Sequence, residues 1–566
     1  MLRKIAKYVL PPMSFRRKLV KKILVAVHLK SPVVAGYYNT LYHQASMHPQ
    51  FHSMITIKNG PLISIVVPAY NTPQRYLDDL IYSVTAQSYE SWELIIVNAS
   101  TQRERREAIT EVTHKDTRIR VIEVENNGIA ANTNAGISIA TGDYIAFCDH
   151  DDVIEPHALY EVARVITSEH AEVVYTDEDK ISDDGEIYFD PHYKPDWNPD
   201  LFMHVNYTNH LSVVKKSILD TVGQLDSRMD GAQDYDLMLR VIDTYPKIIH
   251  IPKVLYHWRA AQNSTAQDFS SKKYVTEAGK KALESHFKRI GMSSVRVSPK
   301  ELQPGFYELQ YKPYENITII ILPFASDALL RLYVEILIKK TSFKKMKVQL
   351  IVPKGASPRF NTPNVSVSTI PSGDNYLIHG LKTAIFDQTI LIDTLALPSE
   401  GEWINVFTPV LRLDHIYAAS PLILFDGNII EDCGLIKRQN TYRPLFKNQP
   451  ARGNQTFFGN TSWVRDVDRL SGGVTLVRTQ EFRYFIGEDE TKTPANYYEE
   501  KRYALLHTET TFNCHSIRLV KRAPERVISM FNPNIDPNGD VYEVYTPEAA
   551  AVSVLITIAE SEGVNL

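Results

Sequence analysis

The sequence predicts an α/β protein of two successive domains, each built on an open, mostly parallel sheet. Three observations carry this reading. Short apolar runs of strand length recur from Ile63 onward, separated by segments of helical spacing. Each run empties into small polar or acidic residues, as at Asn71, Ser100 and Asp149. The same order of elements then begins again at Ile317. Strands alternating with helices describe a sheet that binds its ligand beyond the carboxyl ends of its strands.

Ile63-Ser-Ile-Val-Val-Pro68-Ala-Tyr70-Asn71 reads as the first strand and its turn. Leu77, Leu80, Ile81, Val84 and Gln87 then mark one face of a helix. Trp92 to Val97 is the second strand, ending at Asn98-Ala-Ser100, and Arg120 to Val124 is a third. Asn126-Asn127-Gly128 turns the chain into a helix holding Asn132, Asn134 and Gly136. Gly142-Asp143 leads to Tyr144-Ile-Ala-Phe-Cys-Asp149-His-Asp151-Asp152, a buried strand that runs into three carboxylates. An acidic loop after a strand is often an ordinary solvated turn. At a crevice, however, crowded carboxylates repel unless a hard divalent cation or water offsets their charge.

Length and composition set the bounds. A chain of 566 residues exceeds one core. Its 44% hydrophobic and 23% charged content is that of an ordinary globular protein. The net charge of -4 gives no general argument for nucleic acid. Cys148, Cys433 and Cys514 make neither a disulfide framework nor a zinc spacing, which suits a reducing cytosol. No run reaches the roughly 20 apolar residues that span a bilayer; Ile317 to Pro323 and Ala549 to Ile558 have strand length.

The first 30 residues carry nine basic side chains and no acidic one. Pro11-Pro12 divides the stretch, and the interrupted apolar part does not read as a signal peptide. Residues 1–60 are therefore expected to be a basic, helical segment, either packed on its own protein or lying on anionic lipid.

Seven motifs in order carry a family resemblance: the first strand with its Pro68-Ala-Tyr70-Asn71 turn, Asn127-Gly-Ile-Ala through Thr141-Gly-Asp143, Asp149-His-Asp151-Asp152, Tyr175-Thr-Asp-Glu-Asp-Lys180, Tyr193-Lys-Pro-Asp-Trp-Asn-Pro199, Gly231-Ala-Gln-Asp234-Tyr-Asp-Leu237 and His250 to Arg259. Together they resemble the family-2 glycosyltransferases of GT-A fold, a Rossmann-like arrangement. The likeness extends to the subgroup that builds bacterial O-antigens and rhamnose-rich cell-wall polysaccharides.

The resemblance implies a catalytic domain over residues 61–312 and a degenerate GT-A-like domain over 313–566. It implies metal-dependent inverting transfer, of a hexosyl or rhamnosyl unit, from a UDP- or dTDP-linked sugar. The acceptor would be a lipid-linked or growing surface glycan at the cytoplasmic face, with the protein peripheral at the inner side of the cell membrane through its basic segment. That expectation favours the membrane for residues 1–60.

Residue by residue, the resemblance assigns Pro68, Tyr70, Asn98, Asn127, Asn132 and Asp149 to the nucleotide-sugar. It assigns Asp149 and Asp151 to a Mn²⁺ or Mg²⁺ ion, with Asp152 shaping the loop, and Asp234 to the base that takes the acceptor proton. Asp also favours a first helical turn, which is the plainer account of Asp234.

Three departures stand out. Asn98 occupies the place of an Asp that accepts the N3–H of uracil or thymine, and its amide accepts without charge assistance. Gln233 replaces the usual Glu before the base. Arg259-Ala-Ala261 replaces a Tyr-Arg-x-His metal motif, leaving His257 as a substitute ligand or a structural residue. Trp197 and Trp258 are candidate sugar platforms or core, and Asp177, Glu178 and Asp179 a second acidic strand end near the donor sugar or acceptor.

In the second half, Thr389-Ile-Leu-Ile-Asp393 stands where the acidic cluster should be, and only Asp393 is left of it. Two rivals follow: a bifunctional enzyme with two active domains, and a non-catalytic glycan-binding scaffold. Intact Asp149, Asp151 and Asp234 argue against the scaffold.

Overall fold

A computed structural model describes residues 57–260, 269–300, 305–344, 346–373, 375–425, 429–432, 434–438, 441–444, 464–470, 472–487 and 504–514. Nearly all of the basic amino-terminal segment and the apolar run 549–558 lie outside the described residues. Among the described residues no helix is long and apolar enough to cross a membrane.

Two compact units emerge, and they are not simple stretches of chain. The first takes residues up to His192, Thr208–Asp230 and Thr244–Lys272. The second takes Tyr193–Tyr207, Gly231–Asp243 and the chain from Lys273.

The first unit holds a nine-stranded sheet. Its strands are β1 Ile63–Ala69, β2 Trp92–Asn98, β3 Ile119–Glu123, β4 Tyr144–Phe147, β5 Val153–Ile154, β6 Val173–Ser182, β7 Tyr188–His192, β8 Ser212–Lys215 and β9 Ile248–Ala260. The order is β3-β2-β1-β4-β8-β6-β9-β5, with β7 on β6. The block β3-β2-β1-β4 is parallel. Beyond it β8 runs antiparallel to both β4 and β6, and β9 parallel to β6.

Parallel strands with helices on both faces lose their alternation, so β2 is buried at every position. Glu93 lies inside that strand. Burial alone would raise its carboxyl, but bonds from Ser64, Thr141 and Arg120 outweigh it and hold the group below the usual range. Helix Ile129–Ile139 presses so close to the sheet that a Cβ at Gly136 would stand 2.6 Å from Val66. Only glycine fits there.

The second unit carries the hairpin β10 Arg296–Pro299 and β11 Tyr307–Gln310, then a ten-stranded sheet. The strands continue as β12 Asn316–Ile321, β13 Lys347–Pro353, β14 Val365–Ile370, β15 Gln388–Ile392, β16 Leu397–Pro398, β17 Ala418–Phe425, β18 Ile429–Asp432, β19 Leu435–Arg438, β20 Thr441–Pro444, β21 Arg465–Val467, β22 Val474–Arg478 and β23 Ala504–Cys514. β19 and β20 form their own hairpin, while β18 pairs with β17 and β21 with β23.

The main order is β14-β13-β12-β15-β22-β17-β23-β16. It repeats the first sheet strand for strand. β12 is parallel to β13 and β15, as β1 is to β2 and β4. β22 runs antiparallel to β15 and β17, as β8 does to β4 and β6. β23 runs parallel to β17 and antiparallel to β16, as β9 does to β6 and β5. The restart predicted at Ile317 is therefore a second copy of one topology. Asp393 directly follows β15, the counterpart of β4.

Candidate active site

The sheet brings the carboxyl ends of β1, β2 and β4 side by side. Pro68 pairs in register with Val97, and the chain then turns sharply. Asn71 makes the turn at φ +50°, in the left-handed region that Asn tolerates. Its Oδ1 accepts the N–H groups of Thr101 and Gln102, each at 3.0 Å, and its own N–H donates to Ser100 Oγ at 3.0 Å. One side chain thus ties two strand ends together. Tyr70 projects outward, 45% exposed, with its hydroxyl 3.4 Å from Thr101 Oγ1.

Asn98 is placed differently from its expected role. It is fully buried, with its Oδ1 accepting from the Ser100 N–H at 3.2 Å and its Nδ2 donating to the Arg106 carbonyl at 3.0 Å. The side chain shapes the turn beneath the strand end instead of presenting an open acceptor.

Asn127 is exposed, whereas Asn132 is buried under the same loop. Asn132 accepts from the Asn127 N–H at 3.3 Å and donates to Asn126 Oδ1 at 3.0 Å. Gly128 sits at φ +94°, where a Cβ would stand 2.4 Å from Asp230 Oδ2. Asp230 accepts from the Ala130 N–H at 3.3 Å, so a carboxylate lies on the helix amino terminus.

The acidic loop after β4 separates its three members. Asp149 leaves 43% of its side chain exposed, and its backbone N–H reaches the Tyr256 hydroxyl at 3.2 Å. Asp151 is partly buried; burial raises its carboxyl, and the charge of Asp149 adds to that rise. Asp152 is fully buried, accepting from Tyr256 at 2.5 Å and from the Arg259 N–H at 2.7 Å. Burial, then the charges of Asp149 and Asp151, lift it far above the carboxylate range.

Arg259 was missed by sequence reasoning, which saw only an absent motif. It is 1% exposed and donates to the Asp151 carbonyl at 2.7 Å, Asp79 Oδ2 at 2.8 Å and the Asp183 carbonyl at 3.3 Å. Its guanidinium also lies 4.8 Å from the Tyr76 ring centroid. The planar fork suits this many-sided grip on the loop.

The acids on β6 do not form an open edge, contrary to expectation. Each is matched to histidine. Asp177 meets His250 at 2.9 Å, and both are buried. Glu178 meets His192 at 3.2 Å and His210 at 3.2 Å. Asp179 meets His257 Nδ1 at 2.5 Å, while His257 Nε2 faces Glu155 at 3.2 Å.

His257 was expected as a metal ligand, yet both its ring nitrogens lie against carboxylates. Burial disfavours its charged form, but Asp179 and Glu155 outweigh that and raise it to about 10. His210, also unforeseen, stacks on Tyr256 with centroids 4.9 Å apart and stands 3.9 Å from Asp149 Oδ2. Burial lowers it, and Glu178 with Asp149 more than compensates, lifting it to about 9. Trp258 is half-buried, with Lys180 Nζ 5.8 Å from its ring.

Asp234 belongs to the second compact unit, in the first turn of helix Gln233–Ile242. Asn206 donates to its Oδ2 at 3.1 Å. Gln233 turns back to accept the Gly231 N–H at 2.7 Å, so it fastens the loop before the helix. Trp197 packs between Phe202 and Tyr207, at centroid distances of 5.2 and 6.2 Å.

Among the described residues no group of three or more His, Cys, Asp or Glu side chains is disposed to hold a metal. Asp149 and Asp151 are a two-carboxylate set. Hard oxygen donors in that number suit an ion that takes its remaining ligands from phosphate and water. Negative charge crowded on a partly desolvated loop is also what such an ion offsets.

The first unit's α/β sheet ends its central strand in an acidic loop, and comparison with known proteins gives the family that this region matches. Residues 64–222 match the family described as glycosyl transferase family 2. The chain carries a family-2 glycosyltransferase domain. It is 39% identical over 306 residues to the uncharacterized protein y4gI of Sinorhizobium fredii, covering 53% of this chain and 33% of that one. It is 29% identical over 451 residues to the O-antigen biosynthesis protein RfbC of Myxococcus xanthus, covering 77% of this chain and 35% of that one. The chain thus spans about a third of the length of these relatives. A solved mannosyltransferase from Pyrobaculum calidifontis, in complex with GDP-Man and Mn²⁺, aligns with a TM-score of 0.33 and 15% identity, over 47% of this chain and 77% of that one.

Proposed function

We propose that the protein transfers a sugar, with inversion, from a UDP- or dTDP-linked donor to a lipid-linked or growing bacterial surface polysaccharide. The observation that carries this reading is the loop after β4. There a half-open Asp149 and a partly buried Asp151 stand beside the turns that end β1 and β2. The similarity to an O-antigen biosynthesis protein supports the substrate class.

In this reading Asp149 and Asp151 hold Mn²⁺ or Mg²⁺. When bound, such an ion supplies Lewis-acid stabilisation of the departing diphosphate. Tyr70, on the exposed side of the β1 turn, offers its ring to the donor base. Pro68 sets that turn, and Asn98 and Asn132 act from beneath by fixing the strand end and the 126–128 loop, with Asn127 exposed to contact the donor. Arg259 holds the acidic loop in shape. Asp234, hydrogen-bonded by Asn206, takes the proton of the attacking acceptor hydroxyl. His257 serves better as a charged brace between Asp179 and Glu155 than as a metal ligand.

A panel of UDP-, dTDP- and GDP-sugars, each with Mn²⁺, tests the reading. One UDP- or dTDP-sugar should raise the melting temperature by mass action and release its nucleotide on incubation with acceptor glycan. Absence of both effects across the panel would sink it.

The basic amino-terminal segment is proposed to hold the protein on the anionic inner leaflet, where each basic residue contributes up to about 1 kcal/mol. Co-sedimentation with phosphatidylserine vesicles should be lost on deleting residues 1–30. Equal sedimentation with and without the segment would refute that part.

A further inference from the structure

Residues 198–206 form a strap within the second compact unit, fastened at both ends. At one end Asn198 pairs with the backbone of β21. Its Nδ2 donates to the Asp466 carbonyl at 3.1 Å, and its Oδ1 accepts the Asp466 N–H at 3.0 Å. The same oxygen accepts the Leu201 N–H at 3.1 Å, capping the short helix Pro199–Phe202.

Asp200, 6% exposed, follows in that helix. His415 Nε2 stands 3.0 Å from each of its carboxylate oxygens. Asp466 Oδ2 also accepts the Asp200 N–H at 3.5 Å, and two neighbouring carboxyls shielded from water resist ionising together. Burial, then the charge of Asp200, push the Asp466 carboxyl far up. Burial would raise Asp200 as well, but His415, 3.0 Å from both its oxygens, outweighs that and holds it down.

At its other end the strap grips the helix that carries Asp234. The Phe202 carbonyl accepts the Tyr235 hydroxyl at 2.5 Å, and the two rings meet edge to face at 5.1 Å. Asn206 then donates to Asp234 Oδ2. Between the two ends, His204 exchanges hydrogen bonds with Tyr307 of β11.

We propose that the second compact unit holds a positioning module for the base: His415 and Asp466 fix the strap whose Asn206 orients the Asp234 carboxylate. Both are positioning residues, since they act through Asn198, Asp200 and Asn206 and touch no reacting atom. The inference rests on Asp234 being the base. It explains what a copy lacking the acidic cluster contributes, because loss of a metal site leaves the packing surface of β21 and its neighbours intact.

The test compares Asp466→Ala, Asp466→Asn, His415→Ala and Asp234→Asn in the full chain. Turnover is read as nucleotide release from the best donor of the panel, and donor binding as the thermal shift with UDP and Mn²⁺. Asp466→Ala and His415→Ala should lose roughly 10–100-fold in kcat, as a displaced catalytic group does, with donor KM and thermal shift unchanged. Asp466→Asn, whose amide oxygen accepts the Asp200 N–H as the carboxyl does, should restore most of the rate.

Joint loss of rate and donor binding in the alanine variants would mark a merely structural role. Wild-type rate in His415→Ala would equally overturn the proposal, and decides the matter should Asp466→Ala fail to fold. Failure of the underlying reading is separable, because Asp234→Asn would then retain turnover.

Discussion

Arg259 Nε donates to the backbone carbonyl of Asp151 across 2.7 Å. A buried cation from the end of β9 thus sets the shape of the acidic loop after β4, while its other nitrogens engage Asp79 and the Asp183 carbonyl.

Arg259→Lys should break that grip, because an ammonium cannot reproduce the planar fork. The expected cost is about 1–3 kcal/mol from lost charge-assisted bonds, read as a lower unfolding midpoint. Donor binding with Mn²⁺ should weaken in parallel. An unchanged midpoint would show that the loop holds its shape without the guanidinium.

Asp151→Ala should abolish the Mn²⁺-dependent thermal shift with donor as well as turnover, since one carboxylate is a poor divalent site. EDTA should do the same to the wild-type protein. Full activity in either case would remove the metal from the mechanism.

Asp234→Asn should leave the thermal shift with UDP and Mn²⁺ in place and slow transfer by roughly 10²–10⁴-fold. Collapse of donor binding would instead make Asp234 a donor-site residue.

Asp393→Ala should leave transfer within about twofold of wild type, because a lone carboxylate after β15 offers one of the two or more ligands a divalent site uses. A large loss with intact folding would favour two active sites.

His204 gives a stability signature of known sign. Burial depresses its pKa to about 4, against an ordinary 6.5. A depressed folded value means that stability is fully present above the unfolded pKa and is lost as pH falls through the folded one. Between pH 6.5 and 4 this residue should therefore forfeit about 3 kcal/mol. The thermal midpoint of His204→Gln should fall less steeply over that window than that of wild type. Parallel slopes would show that His204 does not titrate in this way.

Much of this was legible in the sequence because it is local. Buried parallel strands announce themselves as unbroken apolar runs, so Ile63–Ala69, Trp92–Asn98 and Tyr144–Phe147 could be placed, as could the restart at Ile317. The crowding of Asp149, Asp151 and Asp152 is likewise visible from spacing alone. What those carboxylates do is not.

Tertiary structure alone decided which acids stay open and which are consumed. Asp152 lies under Tyr256 and Arg259, and Asp177, Glu178 and Asp179 are each matched to a histidine from another segment. It also turned His257 and Asn98 inward, and drew the strap 198–206 into one unit with β21 and Asp234. The physical reason is that local sequence fixes backbone preference and burial pattern, whereas an ionisable group takes its role from charges and donors many residues away. Asp466 meets Asn198 across 268 positions of chain, and no periodicity records that.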